Sequence, residues 1–263
     1  MRASPGSGVA RAGVSLGRRA AAEALGTGLL VAVVVGSGIQ ATELTHDIGL
    51  RLLADSLATV LGLAALITLL GPVSGAHLNP AVTLAAWCAG RRTGTGPSLR
   101  DVAAYVPAQV AGAIGGAVVA DAMFAKPLLR FSTHDRFAGH LWLGEVVATA
   151  GLILLVLGLE RTGRTHLAPA AVASYIGAAY WFTSSTSFAN PAVTVGRAFS
   201  DTFAGIAPTS VLPFIAAQLA GAALGLTVTL LLYGRAASVG DTAAVPVLVP
   251  VPVSQGEPES ATS

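Results

Sequence analysis

Ser74–Ala85 reads SGAHLNPAVTLA, and Ser187–Ala198 reads SFANPAVTVGRA. Both contain NPAVT, at Asn79–Thr83 and at Asn190–Thr194, 111 positions apart. Asn is a favourable helix N-cap because its side-chain oxygen accepts from an unpaired N–H of the first turn. Pro suits the first helical position, where no backbone donor is needed. Asn79-Pro80-Ala81 and Asn190-Pro191-Ala192 therefore each predict a helix start. Each start heads an apolar segment of only about ten residues, at 80–90 and 191–200, or ~15 Å of helix. That is half of what a membrane crossing needs.

The surroundings of both copies belong in a membrane. The 263 residues are 53% hydrophobic and 11% charged, with a mean hydropathy of +0.71, whereas soluble domains carry about 25% charge. Six longer apolar segments, at 20–41, 51–71, 102–124, 139–159, 167–185 and 209–233, are each long enough to span. The first is too long for a cleavable signal and lacks a clear cleavage site. Polar residues 1–17 and the Val-, Pro- and Ser-rich tail 236–263 are expected to be disordered. Between them lies one domain, 18–235. With both termini inside, ten of the fifteen Arg and Lys residues fall on the inner face, as the positive-inside rule requires. Lys126, Arg130 and Arg136 in the outer connection 125–137 weaken that asymmetry without reversing it.

The composition excludes several functions. A net charge of +2 without a basic cluster offers nothing to nucleic acid. The single cysteine, Cys88, excludes an internal disulfide and a cysteine metal cage. No nucleophile, metal cluster or phosphate loop stands out, so neither an enzyme nor a cofactor is expected.

The two halves, 18–124 and 138–235, repeat. AAEALGTGLLV (Ala21–Val31) resembles LGEVVATAGLILLV (Leu143–Val156), aligning Glu23 with Glu145. YVPAQVAGAIGGAVV (Tyr105–Val119) resembles PFIAAQLAGAALGLTV (Pro213–Val228), aligning Gln109 with Gln218. Three spans per half is an odd number, so the second half enters the membrane from the opposite side and the repeat is inverted. An inverted repeat brings the two Asn-Pro-Ala starts together at the midplane. There the positive ends of two half-helices face one another. GPVSGAH and TSSTSFA, ahead of the two Asn residues, are non-helical backbone that is tolerated at that depth only if buried or lining a wet cavity.

SGAHLNPAVT, a second NPA in register, the paired Glu residues and the paired AQ-x-AG together resemble the aquaporin, or major intrinsic protein, family over about residues 20–235. The resemblance implies an all-α membrane protein. Its fold would be an aquaporin-like right-handed bundle of six transmembrane helices and two re-entrant half-helices. It further implies a homotetramer, a multi-pass protein of the inner cell membrane with both termini cytoplasmic, and a pore for water and small neutral solutes. Asn79 and Asn190 would donate to the permeating molecule, orienting each water so that proton hopping is broken. Glu23 and Glu145 admit two readings, a proton relay or acceptors for the amides of the re-entrant loops; the resemblance favours the second. His77 is either a packed histidine or, as the resemblance implies, pore wall.

Selectivity is read the same way. The family's second motif usually continues with Arg, where this chain has Val193. Family spacing then places the rest of the filter at Thr59, Ala178 and Ser187, implying a wide, uncharged, weakly polar opening. Arg197, one turn past Val193, folds over the mouth or, preferably, pairs with Asp201 at i+4. A filter with Val in that position resembles the bacterial aquaporin-like channels associated with arsenic resistance. The favoured reading is thus a passive channel for water, glycerol, arsenite and organic arsenicals. A water-selective pore and a secondary transporter are the alternatives.

Overall fold

The computed structural model describes residues 13–91 and 93–234, so the N-terminal segment up to residue 12 and the tail from 235 lie outside the described residues. Residues 16 and 17, expected to be disordered, already belong to the first helix, whose N-cap Ser15 accepts from the Arg18 amide. The elements are α1 (Leu16–Leu44), α2 (Ile48–Ser74), α3 (Pro80–Gly90), α4 (Leu99–Met123), α5 (Gly139–Arg161), a 3-10 turn (Thr165–Leu167), α6 (Ala168–Phe182), α7 (Pro191–Arg197) and α8 (Pro208–Tyr233). No strand occurs among the described residues. The all-helical fold and its order, two spans, a half-helix and a third span in each half, are those expected.

Five helices, α1, α2, α4, α5 and α8, are long and apolar enough to cross a membrane. The sixth segment is shorter than its apolar stretch. α6 ends at Phe182, where Thr183 turns extended; the Thr183 hydroxyl donates back to the Ala179 carbonyl and the Ser185 hydroxyl accepts from the Ser187 amide, local bonds that compete with a continued helix. The second half-helix is likewise shorter than expected. α7 stops at Arg197 rather than near residue 200, because the Ala198 and Phe199 amides close tight three-residue turns onto Val195 and Gly196.

Sequence chemistry accounts for the other boundaries. Asp47 caps α2 by accepting from the Leu50 amide at 2.8 Å. Ser98 and Asp101 form a reciprocal capping box on α4. Gly75 ends α2 at φ 94°, a left-handed conformation that glycine adopts without a Cβ clash.

The closest helix packing repeats between the halves. α1 lies against α4, and α5 against α8. A Cβ on Gly112 or Gly116 would strike the carbonyls of Ala24 and Gly28. A Cβ on Gly221 or Gly225 would strike those of Val146 and Ala150. The partners sit one and five residues after Glu23 and Glu145 respectively. Small residues four apart let backbones approach where lipid supplies no hydrophobic drive between helices.

Gly112→Ala and Gly116→Ala are therefore expected to destabilise the bundle by about 1–3 kcal/mol each, the usual range for overpacking. Gly115→Ala, whose added Cβ would meet nothing within 4 Å, should be neutral or stabilising by up to about 1 kcal/mol. Thermal denaturation in detergent, followed by size-exclusion chromatography, measures the three variants.

Candidate functional site: a cavity between two crossed half-helices

All five residues of NPAVT have a task, and each is performed twice. Asn79 Oδ1 accepts from the Ala81 amide at 2.8 Å, and Asn190 Oδ1 from those of Ala192 and Val193 at 3.0 and 3.2 Å. Pro80 and Pro191 occupy the first helical position. Ala81 and Ala192 are fully buried. Val82 and Val193 line the central cavity. Thr83 and Thr194 return their hydroxyl hydrogens to the carbonyls of Asn79 and Asn190.

The two copies are tied crosswise. Asn79 Nδ2 donates to the Ala189 carbonyl and Asn190 Nδ2 to the Leu78 carbonyl, both at 2.8 Å. Each amide donates to the residue that precedes the other Asn. One N–H of each side chain is thus committed to the protein, and the second remains for a molecule in the cavity, which both asparagines line.

Glu23 and Glu145 hold the loops that deliver these asparagines. Glu23 accepts from the His77 and Leu78 amides at 3.0 and 2.6 Å, from the Ser74 hydroxyl and from Gln109 Nε2. Glu145 accepts from the Phe188 and Ala189 amides at 2.9 and 2.8 Å and from Gln218 Nε2. Gln109 and Gln218 extend to Thr83 and Thr194, tying each loop to its half-helix. Neither glutamate lines the cavity, and each oxygen already accepts at least one bond. This is the amide-holding arrangement rather than a relay.

The loops bear the strain this imposes. Ala76 and Leu78 have φ 46° and 48°, and Ser187 and Ala189 have φ 50° and 48°, at the third and first residues before each Asn. A left-handed non-glycine residue costs roughly 1–3 kcal/mol. Alternating backbone of this kind lines the cavity at Gly75–Leu78 and Ser187–Ala189.

The cavity, about 470 Å³, extends from Glu160 and His166 at one end, past the asparagines, to Arg197 at the other. His77 lines it and contacts Thr83 Oγ1 through Nδ1 at 3.1 Å. The Thr83 hydroxyl hydrogen is committed to the Asn79 carbonyl, so Nδ1 is the donor in this contact.

Three of the four residues placed at the filter, Thr59, Ser187 and Val193, line the cavity; Ala178 does not. Ala178 is exposed on the outside of α6. Val172, Ile176 and Tyr180 form the inward stripe of that helix, and Ala178 lies two residues from the last two, roughly 200° around the axis. Tyr180 occupies the wall instead, with its hydroxyl 3.1 Å from Thr59 Oγ1. The i, i+4, i+8 apolar stripe was the signal that could have found it. Ser187 Oγ is buried with no partner among the described residues.

Arg197 also departs from the preferred expectation. It does not pair with Asp201, because α7 ends at Arg197 and the i+4 geometry ends with it. Asp201 accepts instead from the amide and hydroxyl of Thr133 and lies 3.3 Å from Arg130 Nε. The Thr133 bonds hold its carboxyl below the ordinary range. Arg197 is buried, donates Nε to the Ala204 carbonyl, and stacks 3.4 Å from the Phe188 ring centroid. With Tyr180, Phe188 and Arg197 in its wall, this end is neither uncharged nor free of aromatic groups.

A family profile described as "Major intrinsic protein" matches residues 12–189. The chain is 52% identical over 211 residues to "Aquaglyceroporin AqpS" of Rhizobium meliloti, covering 80% of this chain and 88% of that protein. It is 31% identical over 218 residues to the "Glycerol uptake facilitator protein" of Pseudomonas aeruginosa, covering 71% of this chain and 75% of that one. The crystal structure of the aquaglyceroporin from Plasmodium falciparum superposes with a TM-score of 0.60 at 21% identity, over 84% of this chain and 96% of the other.

Replacing Glu23 by Ala would strand the amides and side-chain donors it now satisfies. Bonds to a charged acceptor contribute about 1.5–3 kcal/mol each, so a loss of at least about 3 kcal/mol is expected. Little monodisperse protein should survive detergent extraction, measured by fluorescence-detected size exclusion. A Glu23→Ala variant that is as stable as the parent would refute the bracing role.

Proposed function

The chain belongs to the major intrinsic protein family, whose members are channels and not enzymes, and from that premise we propose a passive pore for water together with larger uncharged hydroxylated solutes. The crossed Asn79–Ala189 and Asn190–Leu78 bonds carry this reading. They hold two positive half-helix ends and two residual N–H donors at the middle of one continuous cavity. A water or alcohol oxygen that accepts from both amides has its hydrogens turned outward, which interrupts a proton wire, and the facing helix ends repel cations. Uncharged solutes meet no such barrier.

Glycerol is the first solute we assign, because the first turn of α7 offers Val193 where a long side chain would narrow the lumen, and two of the relatives are an aquaglyceroporin and a glycerol uptake facilitator. Arsenite, a neutral trihydroxy species of similar size, is the second. We place both termini at the cytoplasmic face of the inner membrane from the distribution of basic residues. The Arg197 end of the cavity is then external. The apolar outer faces, such as Leu53, Leu57 and Leu61 on α2, suit lipid or neighbouring protomers of a homotetramer. Coupled transport is disfavoured because both intramembrane glutamates are occupied by loop amides.

Stopped-flow light scattering on proteoliposomes tests the pore. Water and glycerol permeabilities should rise together, scale linearly with gradient and be indifferent to a protonophore. Val193→Arg should keep water flux within a small factor. It should also lower glycerol and arsenite permeability by about tenfold, equivalent to ~1.4 kcal/mol of added barrier. Vesicles that pass water but exclude glycerol would overturn the wide-pore assignment.

A further inference from the structure

We infer that Arg197 is the charge-selecting and solute-orienting group of this pore, delivered to the lumen from the last residue of α7 rather than from its first turn. The inference rests on the channel reading above and adds a residue to it. Arg197 is only 3% exposed, yet it forms part of the cavity wall. Its Nε is held by the Ala204 carbonyl, and its guanidinium plane is seated on Phe188, which lines the same wall. The two Nη atoms bond no atom of the described residues and are not sealed from the cavity. No carboxylate oxygen of the described residues lies within 4 Å of the group.

The setting is built rather than incidental. Arg136, almost completely buried, donates Nε to the Gly205 carbonyl at 3.1 Å and lies 5.0 Å over the same Phe188 ring. Two guanidinium groups therefore grip two consecutive carbonyls, of Ala204 and Gly205, and share one aromatic ring. Phe188 is in turn held edge-on by Phe214 at 5.3 Å. Asp55 and Glu145 act on Arg197 electrostatically from behind the wall without reaching it; Asp55 is engaged with Ser37 at 2.9 Å. These acids offset part of the cost of burying the cation but do not line the lumen. At this end Arg197 is the charged side chain that a passing molecule meets, while Glu160 stands at the opposite end.

The consequence is chemical. A guanidinium presents several fixed donors and a charge that persists at every physiological pH. Solute hydroxyl and water oxygens accept from it, in a wall that also includes Tyr180 and Thr59, before they reach the asparagines. A monovalent cation meets a like charge in a poorly screened passage. Arg136, outside the wall, is a positioning residue for the loop that holds Arg197.

The test uses Arg197→Met and Arg197→Lys in the full chain, reconstituted in proteoliposomes, with water, glycerol and methylammonium fluxes measured on the same vesicles. Arg197→Met should keep conducting water, change the glycerol-to-water permeability ratio by about threefold or more, and raise methylammonium flux by about threefold or more above the parent's, with the helix ends at the asparagines remaining as a second barrier. Arg197→Lys should still exclude methylammonium but shift the ratio by about twofold, because a compact ammonium replaces the planar fork. Should the Met variant fail to yield monodisperse protein, the Lys variant decides. Water flux with an unchanged ratio and unchanged cation exclusion overturns the inference. A parent protein that conducts neither water nor glycerol overturns the channel reading instead.

Discussion

Two side-chain amides, each donating to the backbone carbonyl just before the other, join the halves of this protein at its centre. Seven residues of α7 and eleven of α3 are too few to be stable helices by themselves. They exist because their N-termini are capped by the same asparagines that cross-link them. Non-helical backbone at membrane depth must also have every polar group answered. Glu23 and Glu145 answer the amides, and the crossed asparagines answer two carbonyls. The Ser74 and Ser185 hydroxyls answer the Ala76 and Ser187 amides, Tyr105 answers the Ser74 carbonyl, and residues 75–78 and 187–189 line the cavity.

The same economy explains the repeated sequence. One motif caps, starts, packs, lines and back-bonds within five residues, and inversion makes the second copy complete the first. The glutamine pair and the glycine pairs belong to this plan. Gln109 and Gln218 connect brace to half-helix, while Gly112, Gly116, Gly221 and Gly225 bring the helices carrying the glutamates close enough for those bonds to form. A half-helix, its loop and its bracing span therefore behave as one unit, twice over.

The two ends of the cavity break that symmetry. Glu160 and His166 line one mouth, and Arg197, Tyr180 and Phe188 line the other. The pseudo-twofold relation governs the centre, where backbone geometry is demanding, and lapses at the mouths, where loops differ in length and composition. The solute discrimination proposed for the Arg197 end falls where the halves are free to differ.

What was legible in the sequence is what depends on local periodicity and on pairs of identical residues. Helix starts at Asn79 and Asn190, the order of spans and half-helices, and the pairing of Glu23 with Glu145 all follow from spacing along the chain. Capping, hydrophobic length and inversion act over short range or by count. Tertiary structure alone decided which side chains surround the lumen near its end. Ala178 was placed there by counting residues across a connection whose length and irregular Ser/Thr turns reset the helix phase; the rotation of α6 turned it outward and brought Tyr180 in. Arg197 was expected to find Asp201 by helical spacing. That spacing lapsed where α7 ended, and the returning 198–207 segment instead supplied the Ala204 carbonyl, with Phe188 beneath the guanidinium. A side chain's partner in three dimensions is set by where distant segments pack, and no periodicity along the chain encodes that.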